Sequence, residues 1–543
     1  MKSILICFLF AATLLQGVNA TTYDPEWDDP NRSTRWAVLI TGSDDLMDGG
    51  YRHQADVAHA YHLFRNAGVP AHHMSLISPN NCYENGSFGK LLFNWPSCNA
   101  TNLIHGLEFN CTDTRFLAEM AFMQLGFFHE AAEKIPRPKP EDTLFLYVVG
   151  HGQYGVWKMG DEYLYKDAVH FLLGNLAMYF PGVKVLFLVD TCMAGSMFED
   201  DLFSRGKITY LGRELFHDIT VFTASSPEEE SFGYFCDTWG QTPLDEFQNY
   251  NCLADEFSYQ WMWFFENYNL TEATIGDLYN FLKRQTLGST VTRYGVRTSN
   301  FDVKISSFIG PEKPKVVRIR EERMLYCICD SPEPDDVLII YGYCEKIQYK
   351  NGTTWFPEWS QTNEINTMAT NTYYSENNTL YTTPEPAEAQ VTNSIRSPEW
   401  VKAKLDELGE SRLDEEELFV RRSIVKFYRE NRDEFDLRKV DKSKRKLKRL
   451  ELFARAVNGT VGEKWKKLYQ EELEHENKID TYLFTLNKTM NVFAPVKNHT
   501  DWDCYKKAIE RFDKRFGKSS YGFRQFSYLA NLCEQDPENY KKF

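Results

Sequence analysis

Short runs of consecutive apolar residues recur along the first half of the chain. They cover Ala37–Thr41, Met74–Ser78, Thr143–Val149, Val183–Val189, Ile219–Ala224 and Phe301–Ile305, and each is bounded by polar or glycine-rich residues. Runs this short, without a polar residue at every second place, predict strands buried on both faces. Between them the apolar positions fall at helical spacing, which predicts helices over 52–66, 162–179, 255–267 and 272–286. Val57, Tyr61 and Phe64 share one helical face. Strands alternating with helices predict an α/β domain over residues 36–310, with a mainly parallel sheet flanked by helices. Ligands of such sheets bind at the carboxyl ends of the strands.

The pattern changes after residue 310. Residues 311–396 are rich in Thr, Asn and Pro-Glu pairs and read as a linker or activation region. It contains a Cys327–Cys344 insert and one possible strand at Val337–Tyr341. Residues 397–543 are charged and read as mostly helical, and Arg438–Arg449 holds eight Lys or Arg against one Asp. At the other end, Lys2, the apolar run Ile4–Leu15 and the small-residue site Val18-Asn19-Ala20 predict a signal peptide over 1–20. A short N-terminal propeptide, 21–35, would follow. The run is too short to span a bilayer, and no later run is long enough, so no membrane span is expected.

Entry into the secretory pathway changes how the composition reads. Ten Asn-x-Ser/Thr sites, from Asn31 to Asn498, become candidate glycan positions. Of 12 cysteines, loss of Cys7 with the signal leaves 11. An odd number in an oxidising compartment suggests one thiol kept reduced, with Cys192 a candidate. The other cysteines cluster as 82/98/111, 236/252, 327/329/344 and 504/533. The net charge of −16 argues against nucleic acid as a partner and suits an acidic compartment.

Two predicted strands end in reactive residues. Thr143–Val149 runs into Gly-His-Gly, placing His151 just past it, and Val183–Val189 runs into Asp190-Thr191-Cys192. The separation of 41 residues (192 minus 151) suits one strand–helix–strand unit, whose right-handed crossover puts both strand ends on one sheet edge. A thiol needs a base or backbone dipoles to become a nucleophile, and an imidazole can then protonate the leaving amine. Gly152 admits close backbone approach, and the N–H groups of Gly152 and Cys192 are candidate oxyanion donors. The same stretch, GHGQYG, fits a dinucleotide fingerprint, but Val156–Gly160 reads as a hairpin or loop where that fold needs a helix. His59 and His62 share a helical face without the Cys or carboxylate partners of a metal site, so they read as surface or packing histidines. No cofactor is expected.

The stretches YRHQADVAHAY, GHG and DTCMAGSM resemble the legumain family of cysteine endopeptidases, over roughly residues 36–310. CYKKAIERF and YLANLC, near the C-terminus, resemble the helical prodomain of legumains. The resemblance implies a caspase-like fold and hydrolysis after Asn, less readily after Asp. It makes Cys192 the nucleophile and His151 the catalytic histidine, with Arg52, His53, Asp190, Ser231 and Asp255 forming the substrate pocket. Three departures accompany it. Gly50 stands where legumains carry a catalytic Asn, Gly150 where an Asp is common, and Asp190 where Glu is usual. The first leaves open reduced activity, or orientation of the histidine by Asp48 or a water. A substrate Asn offers one carbonyl and one amide group, which match an Arg52 donor and the acceptors Asp190 and Asp255. A substrate Asp would be repelled by those carboxylates until low pH removes a charge.

The C-terminal region, 397–543, then reads as a prodomain that caps the acidic cleft as an inhibitor, its basic run being equally well a solvated helix face. The polar linker offers Asn363, Asn366 and Asn371 as self-cleavage points in acid. The expected setting is a lysosome, a vacuole or the extracellular space. Two alternatives stay open. One is the catalytic subunit of a GPI transamidase, which shares the GHG and DTC motifs but typically carries a membrane span. The other is a catalytically impaired binding protein, favoured by Gly50.

Overall fold

The structure, a computed structural model, describes residues 34–42, 50–78, 92, 94, 103, 107, 142–160, 162–179, 182–199, 207–210, 213–235, 252–295, 301–311, 347–348, 354–355, 445–456, 459–493, 496 and 501–543. Asp48, the Asn363/Asn366/Asn371 group, Val337–Tyr341 and most of the basic run lie outside the described residues.

A six-stranded sheet forms the centre. It is built from β1 (Arg35–Thr41), β2 (Met74–Ile77), β3 (Thr143–Val149), β7 (Lys184–Asp190), β10 (Asp218–Thr223) and β13 (Thr292–Tyr294), in the order β13-β10-β7-β3-β1-β2. All neighbours pair in parallel except β10 and β13, which are antiparallel. Side chains alternate across it, as the pleat requires. Ala37, Leu39, Phe145, Tyr147, Leu186 and Leu188 face one apolar layer, and Trp36, Val38, Leu144, Leu146, Val185 and Phe187 the other. The first layer is closed by α1 (Gly50–Asn66), whose Val57, Tyr61 and Phe64 form the expected face, and by α3 (Glu256–Asn267). The second is closed by α2 (Lys166–Tyr179).

The expected strand at Phe301–Ile305 does not join the sheet. Its burial alternates, but the backbone runs through turns and hydrogen-bonds to the start of α4 (Ile275–Gln285): Ile275 N–H donates to Val303 O and Ile305 N–H to Ala273 O. The sixth strand is instead the short β13, too brief to show a pattern. The predicted helix over 162–179 starts at Lys166. The residues before it, Glu162–Tyr165, are strand β6, completing a meander with β4 (Gly152–Gln153) and β5 (Val156–Met159). The hairpin reading of Val156–Gly160 therefore holds, and no helix begins where a dinucleotide fold needs one. A second hairpin pairs β8 (Lys207–Tyr210) with β9 (Arg213–Phe216), and a third pairs β11 (Gly233–Tyr234) with β12 (Ala254–Asp255). The four-residue helix α5 (Ser306–Ile309) follows β13.

The C-terminal part is helical, with α6 (Arg445–Ala456), α7 (Gly459–Asn487), α8 (Trp502–Phe516), α9 (Ser520–Arg524) and α10 (Phe526–Gln535). A Cys504–Cys533 disulfide ties α8 to α10. These helices share a third apolar cluster with the meander, in which Tyr154 and Val156 pack with Tyr505, Phe512, Phe523 and Phe526.

Candidate active site

The β3–β7 register pairs Val149 with Asp190. His151 and Cys192 each lie two residues beyond that pair, so both emerge from the same edge of adjacent parallel strands, whose spacing is about 4.8 Å. Cys192 is a thiol and half-buried. Its Sγ–H points at Ser231 O, 3.7 Å away, and the Ser231 hydroxyl approaches Sγ at 4.0 Å. The chain then turns sharply. Met193 takes a left-handed φ of 51°, its N–H donates to Glu229 O at 2.6 Å, and Ala194 N–H donates to Ser225 Oγ at 3.1 Å. Glu229 locks that loop in turn, accepting from Ser226 N–H and Thr290 N–H.

Gly152 lies against the cysteine strand end. A Cβ there would sit 2.4 Å from Cys192 O and 2.7 Å from Thr191 Oγ1, so no other residue fits without moving the nucleophile. The His151 ring meets His53 edge-on, with centroids 4.9 Å apart. Burial, then the charges of Arg52 and His151, hold His53 well below the ordinary histidine range. It is therefore a neutral wall against which His151 is set.

Arg52, His53 and Asp255 form one buried group. Arg52 Nε donates to Asp255 Oδ1 at 2.6 Å, and His53 Nε2 lies 3.2 Å from Asp255 Oδ2. Burial pulls the Arg52 guanidinium down, and the charge and hydrogen bond of Asp255, with the charges of Cys192 and Asp56, together more than offset it. Burial raises Asp255 above the usual carboxylate range, against the pull of Arg52. Asp190 sits deeper. Its Oδ2 accepts from Ser258 N–H at 2.9 Å and from the Ser258 hydroxyl at 2.6 Å, while Tyr147 Oη donates to Ser258 Oγ. Burial, then the Asp255 charge, push Asp190 up to about 8. In mild acid it is a neutral acid and not the carboxylate acceptor that the sequence reading assumed. Its Oδ1 is buried with no hydrogen-bond partner among the described residues.

The five expected pocket residues and the Cys–His pair are thus drawn from β3, β7, α1 and the loops around β11 and β12. Sequence reasoning missed Ser258 and Tyr147, which hold Asp190, and Ser225 and Glu229, which hold the cysteine turn. None carries a local signal, because each acts across the fold. The histidines of α1 pack as read: His59 meets Asn94 and Glu266, and His62 Nε2 lies 2.9 Å from Leu103 O. A cavity of about 500 Å³ separates the site's rim, Gln153, Met193 and Glu230, from Leu483, Tyr521 and Arg524 of the C-terminal helices. No helix among the described residues is long and apolar enough to cross a membrane.

Fold and site together define a class: an α/β protein presenting a thiol and an imidazole at the carboxyl edge of a mainly parallel sheet, the layout that cysteine peptidase chemistry requires. The Peptidase C13 family model matches residues 35–311, more than half of the 543, and the chain belongs to that family. The legumain prodomain model matches residues 467–541. The vacuolar-processing enzyme of Ricinus communis is 31% identical over 52% of this chain and 56% of its own. The hemoglobinase of Schistosoma japonicum is 28% identical over 53% and 63%, and the legumain of Canavalia ensiformis 28% over 52% and 59%. The matched stretches thus span less than two thirds of these relatives. Caspase-1 from Spodoptera frugiperda, a solved structure, is similar over 48% of this chain and 86% of that chain, with 12% identity and a TM-score of 0.28.

Proposed function

We propose that this protein is a cysteine endopeptidase that cleaves after Asn, and after Asp at lower pH. It would be made as a zymogen whose helical C-terminal region covers the site. The observation that carries the reading is the Cys192–His151 pair at adjacent strand ends beside the buried Arg52–Asp255 pair. The Cys192 thiolate attacks the scissile carbonyl carbon, and the N–H groups of Gly152 and Cys192 receive the oxyanion. The C–N bond breaks as His151 gives its proton to the leaving amine. Water, deprotonated by His151, then hydrolyses the thioester and frees the thiol. Arg52 donates to the carbonyl oxygen of the substrate side chain, and Asp255 accepts from its amide. Ser231 lines the same wall.

The prodomain match and the apolar contact of α8–α10 with the meander support a latent precursor, activated in acid by cuts after Asn363, Asn366 or Asn371. The names of the relatives, vacuolar-processing enzyme among them, favour an acidic secretory-pathway compartment such as a lysosome or vacuole. The test is incubation of the full chain between pH 4 and 7, followed by intact mass, a thiol-directed active-site probe and a peptide panel. Labelling that Cys192→Ala abolishes, together with preference for Asn, supports the reading. A labelled enzyme preferring Arg or Leu overturns the pocket. An unlabelled, inert chain favours the binding-protein alternative that Gly50 suggests.

A further inference from the structure

The reaction outlined above leaves one buried carboxyl of α1 unused. Asp56 lies one turn beyond Arg52 and His53 and is fully buried. Both its oxygens accept from nitrogen. Oδ2 takes the backbone N–H of Asp255 at 2.9 Å, and Oδ1 takes Asn94 Nδ2 at 2.7 Å. The same Asn94 nitrogen donates to Leu253 O at 3.1 Å, so it ties α1 to the residue just before β12. Two acceptors facing this nitrogen fix which way the Asn94 amide points. Its Oδ1 then receives His59 Nδ1–H at 2.8 Å, and His59 Nε2 lies 2.9 Å from Glu266 Oε1. The result is an unbroken polar chain, Asp255–Asp56–Asn94–His59–Glu266, running from the pocket to the far end of α3. Asp56, Asn94 and His59 are all buried.

We propose that Asp56 is a positioning residue of the substrate pocket: braced by Asn94 and His59, it pins the backbone of Asp255 directly, where the Asp255 carboxyl group can meet both Arg52 and the substrate amide. The inference rests on the pocket reading given under the proposed function. The physical basis is the donor count. Asp255 sits on a two-residue strand whose only ladder partner among the described residues is the equally short β11. Such a strand is weakly held by its own pairing. A buried carboxyl group accepting two N–H groups supplies the missing restraint, because leaving either buried donor unmet is costly. Burial and the Asp255 charge raise Asp56 well above the ordinary range, a strain that the donors from Asn94 and the Asp255 backbone oppose.

An Asn at position 56 keeps the shape and loses one acceptor. It must turn an N–H toward either Asn94 Nδ2 or the Asp255 backbone N–H. The test compares acid-treated full chain carrying Asp56→Asn, and Asp56→Asn with Asn94→Asp, against the unsubstituted chain. Enzyme is normalised by active-site titration, with an Asn-containing peptide as substrate. Asp56→Asn should raise KM about tenfold and leave kcat and the alkylation rate of Cys192 unchanged, because binding is disturbed and chemistry is not. The exchange variant restores complementarity at the 56–94 bond but loses the donor to Leu253 O, and should recover part of the KM. If Asp56→Asn does not accumulate as folded protein, Asn94→Ser must show the same KM-selective loss. Unchanged KM overturns the proposal, as does a parallel fall in kcat, alkylation rate and melting temperature. An unsubstituted enzyme with no Asn preference overturns the pocket reading instead, a separate result visible before any variant is compared.

Discussion

At Gly152, a Cβ would fall 2.4 Å from the carbonyl oxygen of Cys192, which is backbone and not a side chain that can swing aside. The strand ends must separate, and a displacement near 1 Å of a nucleophile costs about a hundredfold in rate. Gly152→Ala should lower kcat/KM by about that factor, and wild-type kcat/KM in this variant would show that the two strand ends are not coupled. Asp190 makes a different prediction. Its folded value of about 8 lies above the ordinary carboxylate value of 3.8. The folded state therefore holds the extra proton, and this group's contribution to stability is present in acid and lost as pH rises toward 8. A neutral Asn mimics the protonated acid and keeps an acceptor for Ser258. Asp190→Asn should match wild type in kcat/KM at pH 5–6 and melt at higher temperature near pH 9. A large activity loss at pH 5 would mean that Asp190 works as an anion.

At the scale of elements, Thr274 caps α4 through a reciprocal box with Asp277, the Thr274 hydroxyl receiving Asp277 N–H and the carboxylate receiving Thr274 N–H. Burial is slight there, and these hydrogen bonds hold Asp277 below its usual range. Thr274→Ala should cost about 1 kcal/mol, read by denaturant unfolding, with no change in KM. The same turn explains one failure of the sequence reading. Phe301, Val303 and Ile305 alternate in burial like a strand, but their backbone runs through turns and a single bridge, and the carbonyls of Phe301 and Val303 are taken by the first N–H groups of α4. Periodicity reports which side chains are buried and is silent on which backbone they pair with. The five central strands were legible because burial on both faces leaves long apolar runs. The two reactive residues were legible because they interrupt such runs at strand ends. Asp56, Asn94, Ser258 and Glu229 were not, since polar side chains that bond across tens or hundreds of residues leave no local pattern.

For the molecule as a whole, the open question is what holds the C-terminal helices on the peptidase region. The basic run suggested charge. Among the described residues the contact is mainly aromatic: Tyr163 of β6 stacks on Phe523 at 5.7 Å and meets Phe526 edge-on at 5.2 Å, while Trp502 lies where Gly155, with φ of 65°, leaves room. Two ion pairs flank it, Lys506 with Asp167 and Lys518 with Glu162, all substantially exposed. Exposed pairs contribute about 0–1 kcal/mol each, and roughly 1 M salt screens them. Latency at neutral pH should therefore survive high salt and the double substitution Glu162→Gln/Asp167→Asn, and fail in Tyr163→Ala. Asp513 sharpens the pH argument. Burial raises it to about 6, against a hydrogen bond from Tyr163 and the charge of Lys518. The docked state thus holds a proton that the free state releases, so this group favours docking in acid and opposes it as pH rises through 6. Under the proposed acid activation, release of the cap would come from other carboxylates or from cutting the linker, in opposition to Asp513. Asp513→Asn should raise the melting temperature of the full chain at pH 7 by a few degrees and leave it unchanged at pH 4. Activity of uncut chain that rises with salt at pH 7, with Tyr163→Ala still latent, would return the contact to charge.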